Sequence, residues 1–154
     1  MWLISGECEK VAWNPLLPFM FIVGTSNGNL YGCDSRQETP MWTISEAHDK
    51  EVTGLNISSQ CPGLMLTASA DETVKIWDYS QGSEPTLVHE KNFDMNMVHC
   101  LELCPDLPFV LATGGDNKMN NFTVFDLQNI DHVRNIFGAR QLITTTSSEN
   151  DELQ

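Results

Sequence analysis

Three stretches of this chain close on an aspartate in the same way, and that recurrence constrains the fold more than any other feature. Residues 8–34 read "CEKVAWNPLLPFMFIVGTSNGNLYGCD", 52–78 read "VTGLNISSQCPGLMLTASADETVKIWD", and 98–126 read "VHCLELCPDLPFVLATGGDNKMNNFTVFD". Each begins with alternating apolar residues and passes a turn containing Pro or Ser. Each then shows an apolar run, a patch of small residues, a polar turn, and a second alternating run. The closing residues Asp34, Asp78 and Asp126 lie 44 and 48 residues apart. A period close to ~40–45 residues, written in two-residue alternation, predicts a repeated four-stranded β unit.

Within the units we expect strands at 9–14, 19–25 and 29–34, at 52–58, 64–69 and 73–78, and at 98–104, 109–113 and 121–126. A fourth, outer strand is expected after each, at "MWTIS" (41–45), "TLVHE" (86–90) and, weakly, "VRNIFG" (133–138). "MWLIS" at residues 1–5 reads as the outer strand of a preceding unit. No helical period stands out anywhere. The units then span about 8–45, 47–90 and 97–138. Residues 1–140 form one partial repeat domain and 141–154 an acidic, disordered tail in which Ser147 and Ser148 precede acidic residues.

Composition narrows the partners. The 154 residues carry a formal net charge of −13. That charge disfavours phosphate backbones, so no direct nucleic-acid binding is expected, and basic proteins are favoured. No apolar run approaches the ~18 residues of a membrane helix. The five cysteines, 8, 33, 61, 100 and 104, form no CxxC and no zinc pattern, which predicts reduced, buried thiols and no metal. Of the four tryptophans, Trp13 and Trp77 are expected in the core, and Trp2 and Trp42 on outer strands.

"TASADETVKIWDYS", residues 67–80, is the densest stretch. Its Ser69, Asp71 and Trp77 could open a catalytic constellation, or they could lock a β unit. Here the chain resembles the WD-repeat family: Ala47-His48 stands where that family has Gly-His, and "IWD" at 76–78 matches the closing signature. The resemblance implies an all-β fold, a partial WD-repeat β-propeller of about three four-stranded blades. It also implies a buried hydrogen-bonded chain of His48, Ser69, Asp71 and Trp77. An indole N–H must find an acceptor when buried; Ser69 would take it and pass a bond to His48, whose ring would donate to Asp71. Groups that satisfy one another leave no free nucleophile, so no enzyme is expected. The first unit offers only Thr25, Asn27 and Cys33 in these places, and the third has Phe125 for the tryptophan. Asn27-Gly28 suits a tight turn with positive φ.

Phrases such as "ISSQ", "TASAD" and "LCPDLPF" liken the chain to the C-terminal part of one nuclear and nucleolar branch of that family. Ribosome biogenesis, ribosomal-RNA gene expression and chromatin association are what this likeness implies. It predicts a non-enzymatic scaffold whose partners are nucleolar or chromatin proteins, with no cofactor, membrane or small-molecule substrate. Because a propeller takes about seven blades, the chain is expected to be a piece of a longer protein or, less simply, to close by self-association. Asp34-Ser35-Arg36 partly matches the Trp-Asp-x-Arg ending of cullin-type ubiquitin-ligase substrate receptors. Asp34 and Arg36 are therefore candidate adaptor contacts, and that role is the alternative function.

Overall fold

The structure, a computed structural model, describes residues 2–144. Strands β1 (Cys8–Trp13), β2 (Met20–Thr25), β3 (Leu30–Asp34) and β4 (Trp42–Ile44) form the first antiparallel sheet, in that order. The second sheet is β5 (Val52–Ile57), β6 (Leu64–Ser69), β7 (Thr73–Asp78) and β8 (Thr86–Asn92). The third has three strands, β9 (Val98–Leu103), β10 (Val110–Gly115) and β11 (Phe122–Asp126). The strands expected from alternation are found within two residues of their predicted bounds, except for the N-terminal one and the last outer one.

The first strands of the three sheets stand side by side, with β5 between β1 and β9. The sheets therefore face one another like vanes. The middle sheet is buried on both faces, which is why β6, "LMLTAS", is buried at all six positions. Leu64, Leu66 and Ala68 of β6 join Val98, Leu101 and Leu111 of the third sheet in one cluster. Met65 and Trp77 join Ile22, Leu30 and Trp42 of the first sheet in another. Each fully buried Leu or Ile here contributes about 1.5–3 kcal/mol of hydrophobic stabilisation.

One irregularity repeats with the sheets. The pairing register slips between Cys8 and Lys10 in the first, between Val52 and Gly54 in the second, and opposite Gly114 and Gly115 in the third. A bulge at the same place in each first strand marks the three sheets as versions of one unit.

The last outer strand is absent, and a helix stands in its stead. Asp126 caps a short 3-10 turn, Leu127–Asn129, and α1 (Asp131–Phe137) follows. Val133 and Phe137, one helical turn apart, are fully buried in the cluster shared by the second and third sheets. Asp131 and Arg134 pair at i,i+3 on the solvent side. An i,i+4 apolar pair fits one face of a strand as well as of a helix, so alternation alone misleads over so short a segment. Residues 2–5 are not a strand either. They lie on the outward face of the first sheet, where Trp2 and Ile4 pack on Val23, Tyr31 and Cys33, and Ser5 donates its N–H to the Tyr31 hydroxyl at 3.0 Å.

Part of the stretch expected as tail is docked. The Ile143 N–H donates to the Gln60 carbonyl at 2.8 Å. The remainder, with Ser147 and Ser148, lies outside the described residues.

Candidate functional site

The polar chain in the second sheet is present, with a different hydroxyl at its centre. Trp77 Nε1–H donates to Thr67 Oγ1 at 2.8 Å. Thr67 Oγ1 is 2.7 Å from His48 Nε2, and His48 Nδ1 is 2.9 Å from Asp71 Oδ2. The bonds fit one tautomer: the Nδ1 proton faces the carboxylate, and Nε2 accepts the threonine proton. His48 is 1% exposed, Trp77 4% and Thr67 fully buried.

Ser69, expected between Trp77 and His48, is displaced from that role by strand geometry. Trp77 pairs across the sheet with Met65. Its diagonal neighbour on the same face is therefore residue 67, whereas residue 69 lies a further two positions along, at the strand end. Ser69 instead shapes the turn: its Oγ accepts the Asp71 N–H at 3.0 Å and donates to the Lys50 carbonyl at 3.2 Å.

Asp71 gathers the other end of the chain. Oδ2 also accepts the Asp49 N–H at 3.0 Å, and Oδ1 accepts the Thr73 N–H and hydroxyl at 3.0 and 2.6 Å. Burial by itself pushes this carboxyl up. The bonds from His48, Thr73 and the Asp49 amide outweigh it and hold the acid well below its ordinary range.

The His48 loop also ties the first sheet to the second. Its N–H donates to the Gly28 carbonyl at 3.0 Å. Gly28 has φ +79°, as its turn requires, and a Cβ there would come within 2.0 Å of the His48 carbonyl oxygen.

The other sheets lack this arrangement. By register, Val23 takes the place of Thr67 in the first sheet and Cys33 that of Trp77. Thr25 and Asn27 bond each other at 2.6 Å at the turn. In the third sheet Phe125 stands opposite Leu111, and Thr113 donates to the Cys100 carbonyl at 2.9 Å.

The closing aspartates end their strands alike and differ in their partners. Asp34 accepts both Nε and Nη2 of Arg36, at 2.9 and 2.6 Å, and the guanidinium lies 4.2 Å over the Phe19 ring. The Arg36 side chain and amide draw the Asp34 carboxyl down to about 2. Arg36 remains 63% exposed. Asp78 takes its cation from 62 residues away: Arg140 Nη1 donates to Oδ1 at 3.0 Å and to the Pro62 carbonyl at 2.9 Å, and Nη2 donates to Oδ2. Burial raises the Asp78 carboxyl, and the bonds from Arg140 and Ser80 more than reverse it. Nothing near Asp78 in the sequence signals Arg140.

Two further expectations change. Trp13 is 58% exposed and leans on Phe21, with ring centroids 5.1 Å apart, because it lies on the open side of the first sheet. Trp77 is core as expected, while Trp42, on outer strand β4, is buried too. The five cysteines are unpaired; Cys33 and Cys61 are buried, and Cys8 and Cys100 are exposed. Burial pushes both buried thiols up to about 11.

Comparison with known proteins fits this geometry. Residues 38–78, which carry the His48, Thr67, Asp71 and Trp77 chain, match the WD domain, G-beta repeat family. The chain is 36% identical over 137 residues to the periodic tryptophan protein 1 homolog of Drosophila melanogaster, covering 89% of this chain and 29% of that relative. It is 29% identical to the U3 small nucleolar RNA-associated protein 12 of Saccharomyces cerevisiae, over 87% of this chain and 15% of the relative. It is 28% identical to the DDB1- and CUL4-associated factor 13 of Xenopus laevis, over 77% and 25% respectively. The chain thus spans less than a third of the length of each. Three facing antiparallel sheets, the repeated bulge and the Trp77–Thr67–His48–Asp71 chain identify a member of the WD-repeat family whose described residues form part of a β-propeller.

Proposed function

We propose that the chain is part of a non-enzymatic WD-repeat scaffold for protein–protein contacts in ribosome biogenesis and ribosomal-RNA gene expression, associated with chromatin and working in the nucleus and nucleolus. The observation that carries this reading is the likeness to the periodic tryptophan protein 1 homolog across 89% of the chain. The likeness to a U3 small nucleolar RNA-associated protein supports the same setting. The polar groups most suggestive of chemistry are bonded to one another and buried, which suits a locked blade better than a reaction. Its partners are nucleolar or chromatin proteins, and the net charge of −13 favours basic ones. The test is to isolate the tagged protein that contains this chain from cells. Ribosome-assembly factors should come with it, and imaging should place it in the nucleolus. An exclusively extranuclear signal without those factors would overturn the reading.

A second reading, a substrate receptor of a cullin-type ubiquitin ligase, is favoured by the Asp34–Arg36 pair. Asp34 anchors an exposed Arg36, and a DDB1- and CUL4-associated factor is among the similar proteins. Co-purification with a cullin adaptor, lost in Arg36→Ala, would support it over the first.

A further inference from the structure

The same corner of turn and closing aspartate is built three times, and in two of them an arginine pairs with the aspartate. In each sheet a turn leads into the second strand and packs beside the closing aspartate. The residue after that aspartate donates its N–H to the turn: Ser35 to the Phe19 carbonyl at 2.9 Å, Tyr79 to Gly63 at 2.9 Å, and Leu127 to Phe109 at 2.8 Å. In each, Oδ1 of the aspartate accepts the N–H two residues on, from Arg36, Ser80 and Gln128, each at 2.9 Å. That bond leaves Oδ2 of the aspartate available to a second donor, which Asp34 and Asp78 use.

What meets Oδ2 differs. In the first sheet it is the guanidinium of Arg36, and in the second that of Arg140. In the third, residue 128 is glutamine, and among the described residues no side-chain cation pairs with Asp126. A groove of about 200 Å3 lies there, lined by Leu107, Pro108, Val110, Gln128 and Leu142, with Asp126 at its polar end. Its counterpart at Asp34, of about 230 Å3, is lined by Leu17, Pro18, Met20 and Met41, with the Arg36–Asp34 pair along one side. The two grooves share apolar walls, one carboxylate and the turn sequence Leu-Pro-Phe.

We propose that the Asp126 groove is a receptor for one arginine side chain presented by a partner protein. Apolar walls suit the aliphatic stem of arginine, and the carboxylate suits its planar fork. The chain supplies both precedents itself, once with phenylalanine at the turn (Phe19) and once with glycine (Gly63), so Phe109 is compatible with a guanidinium. The overall charge of −13 draws such a partner in. This inference deepens the scaffold reading and relies on it only for the existence of a protein partner.

The test uses the purified 154-residue chain and a fluorescein-labelled peptide, acetyl-Gly-Ala-Arg-Gln-Leu-Ile-amide, which copies residues 138–143. Anisotropy gives the affinity, and amide NMR shifts give the place. Binding should perturb Leu127 and Gln128 and should fall about tenfold when Asp126→Asn removes the charge or when the peptide arginine becomes glutamine. Asparagine keeps the oxygen that caps Gln128, so the turn should persist. As an independent arm, Gln128→Arg should pair with Asp126 as Arg36 pairs with Asp34 and weaken peptide binding. Equal binding by the Asp126→Asn chain, shifts centred on Ser80 instead of Gln128, or no binding would overturn the proposal. Each of these results leaves the cellular co-purification test intact, so failure here and failure of the scaffold reading are told apart.

Discussion

Thr67 Oγ1 stands 2.8 Å from Trp77 Nε1 and 2.7 Å from His48 Nε2, so one buried hydroxyl joins two rings contributed by different segments. Thr67→Val keeps the shape and removes the oxygen. The indole N–H and the imidazole nitrogen then lose their partner in a dry site, which should cost about 1–3 kcal/mol in urea denaturation. The Trp77 indole proton should also shift strongly in the NMR spectrum. Ser69→Ala should leave that resonance nearly in place, because Ser69 bonds the Asp71 amide and the Lys50 carbonyl and neither ring. A large indole shift from Ser69→Ala, with none from Thr67→Val, would reverse the assignment.

The acid limb of stability should carry the mark of Asp71. Its folded carboxyl is depressed below the ordinary 3.8. A depressed acid contributes stability that is fully present above the unfolded value and lost as pH falls towards the folded one. The melting temperature should therefore fall as pH drops below about 4. Asp71→Asn should be less stable at neutral pH, because the charged acceptor for His48 is gone, and its melting temperature should fall less steeply over the acid range. Parallel pH profiles for the two proteins would show that Asp71 contributes nothing on that limb.

Much of this is legible in the sequence, and the gaps have physical causes. The strands of the repeat could be read because a half-buried sheet writes its faces into the sequence at period two. The partners in the buried chain could be read only to the level of residue type. Which hydroxyl meets Trp77 depends on cross-strand register, and Thr67 and Ser69 share a face, so alternation cannot separate them. The pattern around Trp13 matches a core strand, while its burial depends on what lies beyond the first sheet. The helix at Asp131–Phe137 hid behind a spacing that also fits a strand. Arg140 could not be found at all, since a contact across 62 residues leaves no local trace.

Gly32 and Trp42 offer a test of how tightly the first sheet is packed. The two residues pair directly across β3 and β4. A Cβ on Gly32 would come within 2.0 Å of Trp42 Cε2. Gly32→Ala must therefore push the indole out of a site where it is only 8% exposed. The expected cost is about 1–3 kcal/mol, typical of overpacking. Trp42→Leu in the same chain should recover part of the loss caused by Gly32→Ala, as a non-additive pair. Strict additivity in a double-mutant cycle would mean that the alanine acts elsewhere.

The Arg140–Asp78 pair holds the segment after the third sheet against the second. Asp78 is 8% exposed at its side chain and Arg140 20%, so the pair is largely desolvated, and Arg140 also lies 4.4 Å over the Phe137 ring. Arg140→Gln would leave the Asp78 carboxylate with only the Ser80 bonds. For a pair that is still partly wet, the loss should be about 1–3 kcal/mol, below the range for a fully buried ion. The damage should be local. Amide hydrogen exchange should speed up across Asp131–Phe137 and at Ile143, whose N–H bonds to Gln60, while Thr67 and Trp77 keep their protection. The charge-swapped chain, Asp78→Arg with Arg140→Asp, should restore part of the protection at Phe137. If exchange in the helix were unchanged in Arg140→Gln, then Val133 and Phe137 alone would hold the segment, and the ion pair would be a surface feature with no mechanical role.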